Sequence, residues 1–132
     1  MKASDLMIGD WFKAVDYNSP FRITAIYDDV VQTQADYQSE IDGNWYSEAE
    51  IKDLVPIELT EDILVRNGFD FTKRSYGVYC KEDKYGDAEL SKDEDGFYWS
   101  INTDEYEILR IDYVHQLQHL LRLCGIEKEI EL

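Results

Sequence analysis

Phe21-Arg22-Ile23-Thr24-Ala25-Ile26-Tyr27-Asp28-Asp29-Val30-Val31-Gln32-Thr33-Gln34-Ala35 reads as two strands and the turn that joins them. Apolar and polar residues alternate from Phe21 to Tyr27, the period of two that a half-buried strand imposes. Asp28-Asp29 supplies the turn, and Val30 to Ala35 returns. Upstream, Gly9-Asp10 turns the chain into an earlier strand at Trp11-Phe12, and downstream Asp42-Gly43-Asn44 leads into Trp45-Tyr46. Ser47 then reads as a helix N-cap, with Glu48 and Glu50 in the first turn where the helix dipole favours anions. Pro56 stops that short helix or turn. Several short strands with tight turns predict an SH3-like small β-barrel over residues 1–57.

Thr60 is a second N-cap, followed by Glu61 and Asp62, then by the apolar Ile63, Leu64 and Val65 and the stop signal Asn67-Gly68. One short linking helix is expected there. Phe69-Phe71, Tyr76-Val78, the stretch around Ala88-Leu90, Phe97-Tyr98-Trp99 and Tyr106-Ile108 mark an antiparallel β-meander, with Asp95-Gly96 as its clearest hairpin turn. From Tyr113, apolar residues fall at Val114, Leu117, Leu120, Leu121 and Cys124, the spacing of one buried helix face. Asp112 reads as the N-cap of this helix and Gly125 as its end. The alternation of Ile126 to Leu132 fits either an edge strand or a frayed end. The fold expected is therefore α+β: the SH3-like small barrel, the short linking helix, and a meander packed by the C-terminal helix. It is read as a single domain of 1–132, with subdomains 1–57 and 58–132.

Composition narrows the function. The 132 residues carry 13 Lys and Arg against 29 Asp and Glu, a net charge of −16, with 14% aromatic residues. Both halves share the charge: residues 1–66 hold 5 basic and 14 acidic side chains, and residues 67–132 hold 8 and 15. Such a field repels phosphate backbones and anionic lipid, because binding them requires Lys and Arg to displace counterions. Direct nucleic-acid binding is disfavoured; the charge reads either as solubility or as attraction to a basic protein surface, including mimicry of nucleic acid. No run approaches the roughly 18 apolar residues of a membrane span. Cys80 and Cys124 form no CxxC pair or disulfide framework, and Met1-Lys2-Ala3-Ser4-Asp5 meets acid before an apolar leader could begin. The compartment expected is the cytoplasm, with both thiols reduced.

Several motifs for chemistry are rejected by their own spacing. His115 and His119 lie four apart on one helix, as zinc ligands do, with Asp112 one turn earlier. However, Gln116 follows His115, so there is no HExxH, and Arg122 on the same face would repel a cation. No metal and no cofactor are expected. Aligning Gly96 with the invariant glycine of a calcium loop puts Asn102 where the bidentate Glu is needed, so Lys92 to Gly96 is a solvated hairpin tip. Nucleophile elbow, P-loop and GxGxxG are absent. Among the aromatics, Trp11, Trp45, Tyr46, Tyr98 and Trp99 divide between core and a stacking surface. A surface aromatic beside acids suits a protein interface.

Three segments together resemble a family. Met1-Lys2-Ala3, Leu6 and Ile8-Gly9-Asp10-Trp11 form the first, and Pro56-Ile57-Glu58-Leu59-Thr60-Glu61-Asp62-Ile63-Leu64 with Asn67-Gly68-Phe69 the second. The third is Tyr113-Val114-His115-Gln116-Leu117-Gln118-His119-Leu120, closed by Cys124-Gly125-Ile126-Glu127. The chain resembles an uncharacterised family of small proteins from Bacteroides-type gut bacteria and their phages or mobile elements. The resemblance implies a shared fold and a phage or prophage setting, and no activity. His119 departs from it, standing where relatives carry Asn, while His115 matches. Tyr113, His115 and Gln118 would then form a polar site at the helix start, or else serve backbone groups of the meander.

Two functional classes follow. The first is a non-catalytic acidic binding or adaptor protein that engages a basic cytoplasmic protein, with Trp11 and Trp45 as anchors. The second is a small enzyme or metal-dependent protein with its site at Tyr113, His115 and Gln118. Exposed aromatics ringed by acids favour the first, and a cleft around His115 the second.

Overall fold

Alternation of buried and exposed side chains builds the first half of the chain. In β1 (Trp11–Ala14), Phe12 and Ala14 are buried. In β2 (Tyr17–Ile26), Phe21 and Ile23 are buried, and in β3 (Val30–Gln38), Val31, Thr33 and Tyr37. The computed structural model describes residues 1–69, 77–83, 86–92, 94–102, 107–123, 125 and 128–132. Expectations placed on Phe71, Tyr76, Asp93, Tyr106, Cys124, Ile126 and Glu127 lie outside the described residues. The described chain is a mostly stranded α+β protein that divides into two compact units, Met1–Ile57 and Glu58–Leu132. Among the described residues, no helix is long and apolar enough to cross a membrane.

Unit 1 is a curled antiparallel sheet of five strands in the order β4-β3-β2-β1-β5, a half-barrel. Register shifts interrupt the ladders at Phe12/Ala14, Ile23/Ala25 and Gln32/Tyr37. Irregularities of this kind bend a strand and increase its twist, so they account for the curl. Its core draws on Leu6, Phe12, Phe21, Ile23, Val31, Tyr37, Ile51 and Leu54. The Gly9-Asp10 turn is present: Gly9 has φ 93°, and the fully buried Asp10 accepts the Met7 N–H on its carboxylate at 2.8 Å.

One expectation in this unit is overturned. Ser47, Glu48 and Glu50 do not open a helix; they belong to β4 (Trp45–Glu50), paired to β3 through Gln32↔Glu48 and Tyr37↔Tyr46. The pull of a capping residue lost to a ladder whose inward residue, Ala49, is buried. Thr33 fixes this stretch as well, since its hydroxyl lies 2.8 Å from the Ala35 carbonyl and 3.2 Å from that of Ser47. A single 3-10 turn, Ile51–Asp53, follows, and Pro56 lies in the edge strand β5 (Leu54–Pro56). An edge is where a residue without an N–H can be accommodated.

Unit 2 opens with α1 (Glu61–Arg66), capped by the Thr60 hydroxyl oxygen, which accepts the Ile63 N–H at 3.2 Å. Gly68 ends it at φ 88°. A sequential antiparallel sheet follows, β6 (Gly77–Asp83), β7 (Gly86–Lys92), β8 (Phe97–Asn102) and β9 (Glu107–Ile111). The helix α2 (Val114–Leu123) buries Val114, Leu117, Gln118 and Leu121. Asp112 is not its cap. The Asp112 carboxylate instead accepts from Arg110 at 3.0 Å, and the Gln116 side-chain oxygen accepts the N–H groups of Asp112 and Tyr113. A longer side chain one turn inside the helix satisfies the free amides from the other direction. Residues 128–132 form no strand, but Ile130 is buried and Asn67 grips Glu131: Nδ2 donates to its carbonyl at 2.8 Å and Oδ1 accepts its N–H at 2.7 Å.

Candidate binding surface at one end of unit 1

Two turns and the last residue of a third meet at one end of the unit 1 sheet. They are the Val15–Asp16 turn between β1 and β2, the Ser39–Asn44 loop between β3 and β4, and Asp53, which closes the 3-10 turn Ile51–Asp53 whose first residue bonds Asp29 at the other end. Backbone bonds tie them together, the Val15 N–H to the Asp53 carbonyl at 2.9 Å and the Glu40 N–H to the Asp16 carbonyl at 2.7 Å. Within the loop, the buried Ser39 acts as a hub. Its hydroxyl oxygen accepts from the N–H groups of Ile41 and Asp42, and its backbone N–H and carbonyl pair with Asn44 and Gly43. Gly43 takes φ 74°, a conformation that other side chains adopt at a cost.

Under the turns lies a tyrosine stack. Tyr37 stacks with Tyr17 at 5.1 Å and with Phe21 at 5.9 Å between ring centroids, and Tyr46 tilts against it at 5.9 Å. The Tyr46 hydroxyl donates to Asp42 Oδ2. That bond, with the Asn44 amide on Oδ1, holds the Asp42 carboxyl below the usual carboxylate range, and the same bond raises Tyr46. Burial pushes the Tyr37 hydroxyl up to about 12, aided by the negative charges of Asp16, Asp53 and Asp42 and by Tyr46. One carboxylate from each of the three turns therefore acts on a single hydroxyl.

Apolar side chains stand out from the same end. Val15 is 64% exposed, Ile41 78% and Trp45 67%. Large exposed apolar groups set beside fixed carboxylates can anchor a partner by burial and orient it by charge.

The two tryptophans named from sequence are not brought together. Trp45 pairs with Gln38 at the turn end of the edge strand β4. Trp11 starts β1, separated from β4 by two intervening strands, and is half-buried with the Arg22 guanidinium 4.7 Å over its ring. Tyr46 joins the Trp45 end, whereas Trp99 is a core residue of unit 2. Of the helix-start residues, Tyr113 and His115 do meet, their rings stacked at 5.9 Å, and His119 contacts His115 edge-on at 5.6 Å. Gln118 is buried on the helix face that carries Leu117 and Leu121. Among the described residues, no group of three or more His, Cys, Asp or Glu side chains is placed to hold a metal ion.

Sequence reasoning missed Val15, Asp16, Tyr17, Tyr37, Ser39, Ile41, Asp42 and Asp53 as members of a site. The Asp42-Gly43-Asn44 turn before Trp45-Tyr46 was the available signal. Its partners come from turns that only the sheet topology brings beside it. Compared with known proteins, the chain matches no family model, no curated protein and no solved structure.

Proposed function

We propose that this chain is a non-catalytic binding or adaptor protein of the cytoplasm that engages a basic protein through its acidic, aromatic-bearing surface. The observation that carries this reading is the exposure of Val15, Ile41 and Trp45 at the end of unit 1 where Asp16, Asp42 and Asp53 gather. Water-exposed apolar side chains of this size gain free energy when a partner covers them. The surrounding charge selects a cationic partner and speeds the encounter. A phage or mobile-element setting goes with the resemblance of the three sequence segments. The finer fold reading, an SH3-like small barrel, is supported by a meander of four strands with β5 added beside β1 after a 3-10 turn.

Capture from native-host lysate, with and without nuclease, tests the function. The expected result is a stoichiometric partner with a basic surface that survives nuclease and is released as salt rises. Recovery that depends on nucleic acid, or no stoichiometric partner at low salt, would remove the reading.

A further inference from the structure

The end of unit 1 constrains the chemistry of what it binds. Its loops are already ordered by Ser39, Gly43 and the bonds between turns, so a ligand meets a formed surface and loses little free energy to loop ordering. The Asp42 carboxylate is exposed, with Oδ1 accepting the Asn44 N–H and Oδ2 the Tyr46 hydroxyl, and it can accept from a further donor on its solvent side. Half-buried Tyr46 and Tyr17 present ring surface beside Asp42 and Asp16. Carboxylates set beside aromatic rings favour a planar guanidinium, which stacks on a ring while donating in a fork to an acid. The chain itself contains the stacking half of this arrangement, Arg22 over Trp11. A second copy of the chain is disfavoured by its net charge of −16, and phosphate-bearing ligands are disfavoured for the same reason.

We propose that this end of unit 1 binds an arginine-containing, apolar-flanked segment of a partner protein. The guanidinium is held by Tyr46 with Asp42 and Asp16, and the flanking apolar side chains cover Ile41, Val15 and Trp45. This rests on the binding-protein reading and assigns it a surface and a ligand chemistry.

The test is fluorescence anisotropy with a short labelled peptide of alternating arginine and leucine, alongside versions carrying lysine or uncharged citrulline in place of arginine. The arginine peptide is expected to bind most tightly and the citrulline peptide least. Trp45→Ala, which leaves the charge unchanged at an exposed position, is expected to weaken binding about tenfold. Asp42→Asn is expected to weaken it severalfold. Asp62→Asn, an equal charge change on α1 where Asp62 pairs with Arg66, is expected to leave binding unchanged. Circular dichroism melts of each variant confirm that it is folded. Equal binding of Trp45→Ala and wild type, equal losses in Asp42→Asn and Asp62→Asn, or equal binding of the arginine and citrulline peptides would each overturn the proposal. Any of these beside a successful lysate capture would leave a binding protein that uses another surface.

Discussion

A tyrosine hydroxyl surrounded by carboxylates keeps its proton longer than one in water, and Tyr37 pairs that charge effect with burial. Its ionisation is raised from 10 to about 12, while in the unfolded chain it stays near 10. Below pH 10 the hydroxyl is protonated in both states, and its contribution to stability is constant. Between 10 and about 12 the unfolded chain releases this proton and the native chain retains it, so stability falls as pH rises. Urea unfolding of wild type and Tyr37→Phe across that window should show the difference between them shrinking with pH. A difference independent of pH would mean that burial and the neighbouring carboxylates do not raise its ionisation. The Tyr46–Asp42 bond nearby belongs to the proposed docking end, which makes residue-level ionisation a reporter of that surface.

At the scale of elements, α2 is the simplest case. Val114, Leu117 and Leu121 recur at helical spacing and are all essentially unexposed. Leu117→Ala should therefore cost about 2–5 kcal/mol of stability, measured by chemical denaturation. A near-neutral change would contradict the burial of that face. This helix, the Thr60 cap and the Asp28-Asp29 turn were legible because their signals lie within a few residues of one another. The Ser47 segment was misread for the opposite reason. Its capping signal is local, whereas the strand it joins is decided by pairing with Val30, Val31 and Gln32, out of reach of a short window. The candidate surface suffers most from this. Trp45 and Asp42-Gly43-Asn44 could be picked out, but Val15, Asp16 and Asp53 acquire meaning only when the sheet curls and brings them together. The Gln116 bonds escaped notice because this side chain reaches back to the amides of Asp112 and Tyr113, whereas a capping Asp is sought for reaching forward to the first turn.

For the whole molecule, charge is the dominant property. Unit 1 carries 4 basic and 11 acidic residues, and unit 2 carries 9 and 18, so both attract cations and repel anions. Each unit is also strained by its own like charges. Raising salt from about 10 mM to about 150 mM should lift the melting temperature by screening this repulsion, as read by calorimetry. A fall over that range would show that attractive pairs such as Asp62–Arg66 outweigh the repulsion. The hydrogen bonds between Asn67 and Glu131 carry a separate consequence. They join positions 64 apart, whereas the core of unit 1 is assembled from residues between Leu6 and Leu54. During synthesis from the N-terminus, every residue of the unit 1 core is therefore in hand before Asn67 has been made. Asn67 then waits a further 64 positions for its partner. A nascent chain can fold the end of unit 1 that carries Val15, Ile41 and Trp45 while the second unit is still incomplete on the ribosome.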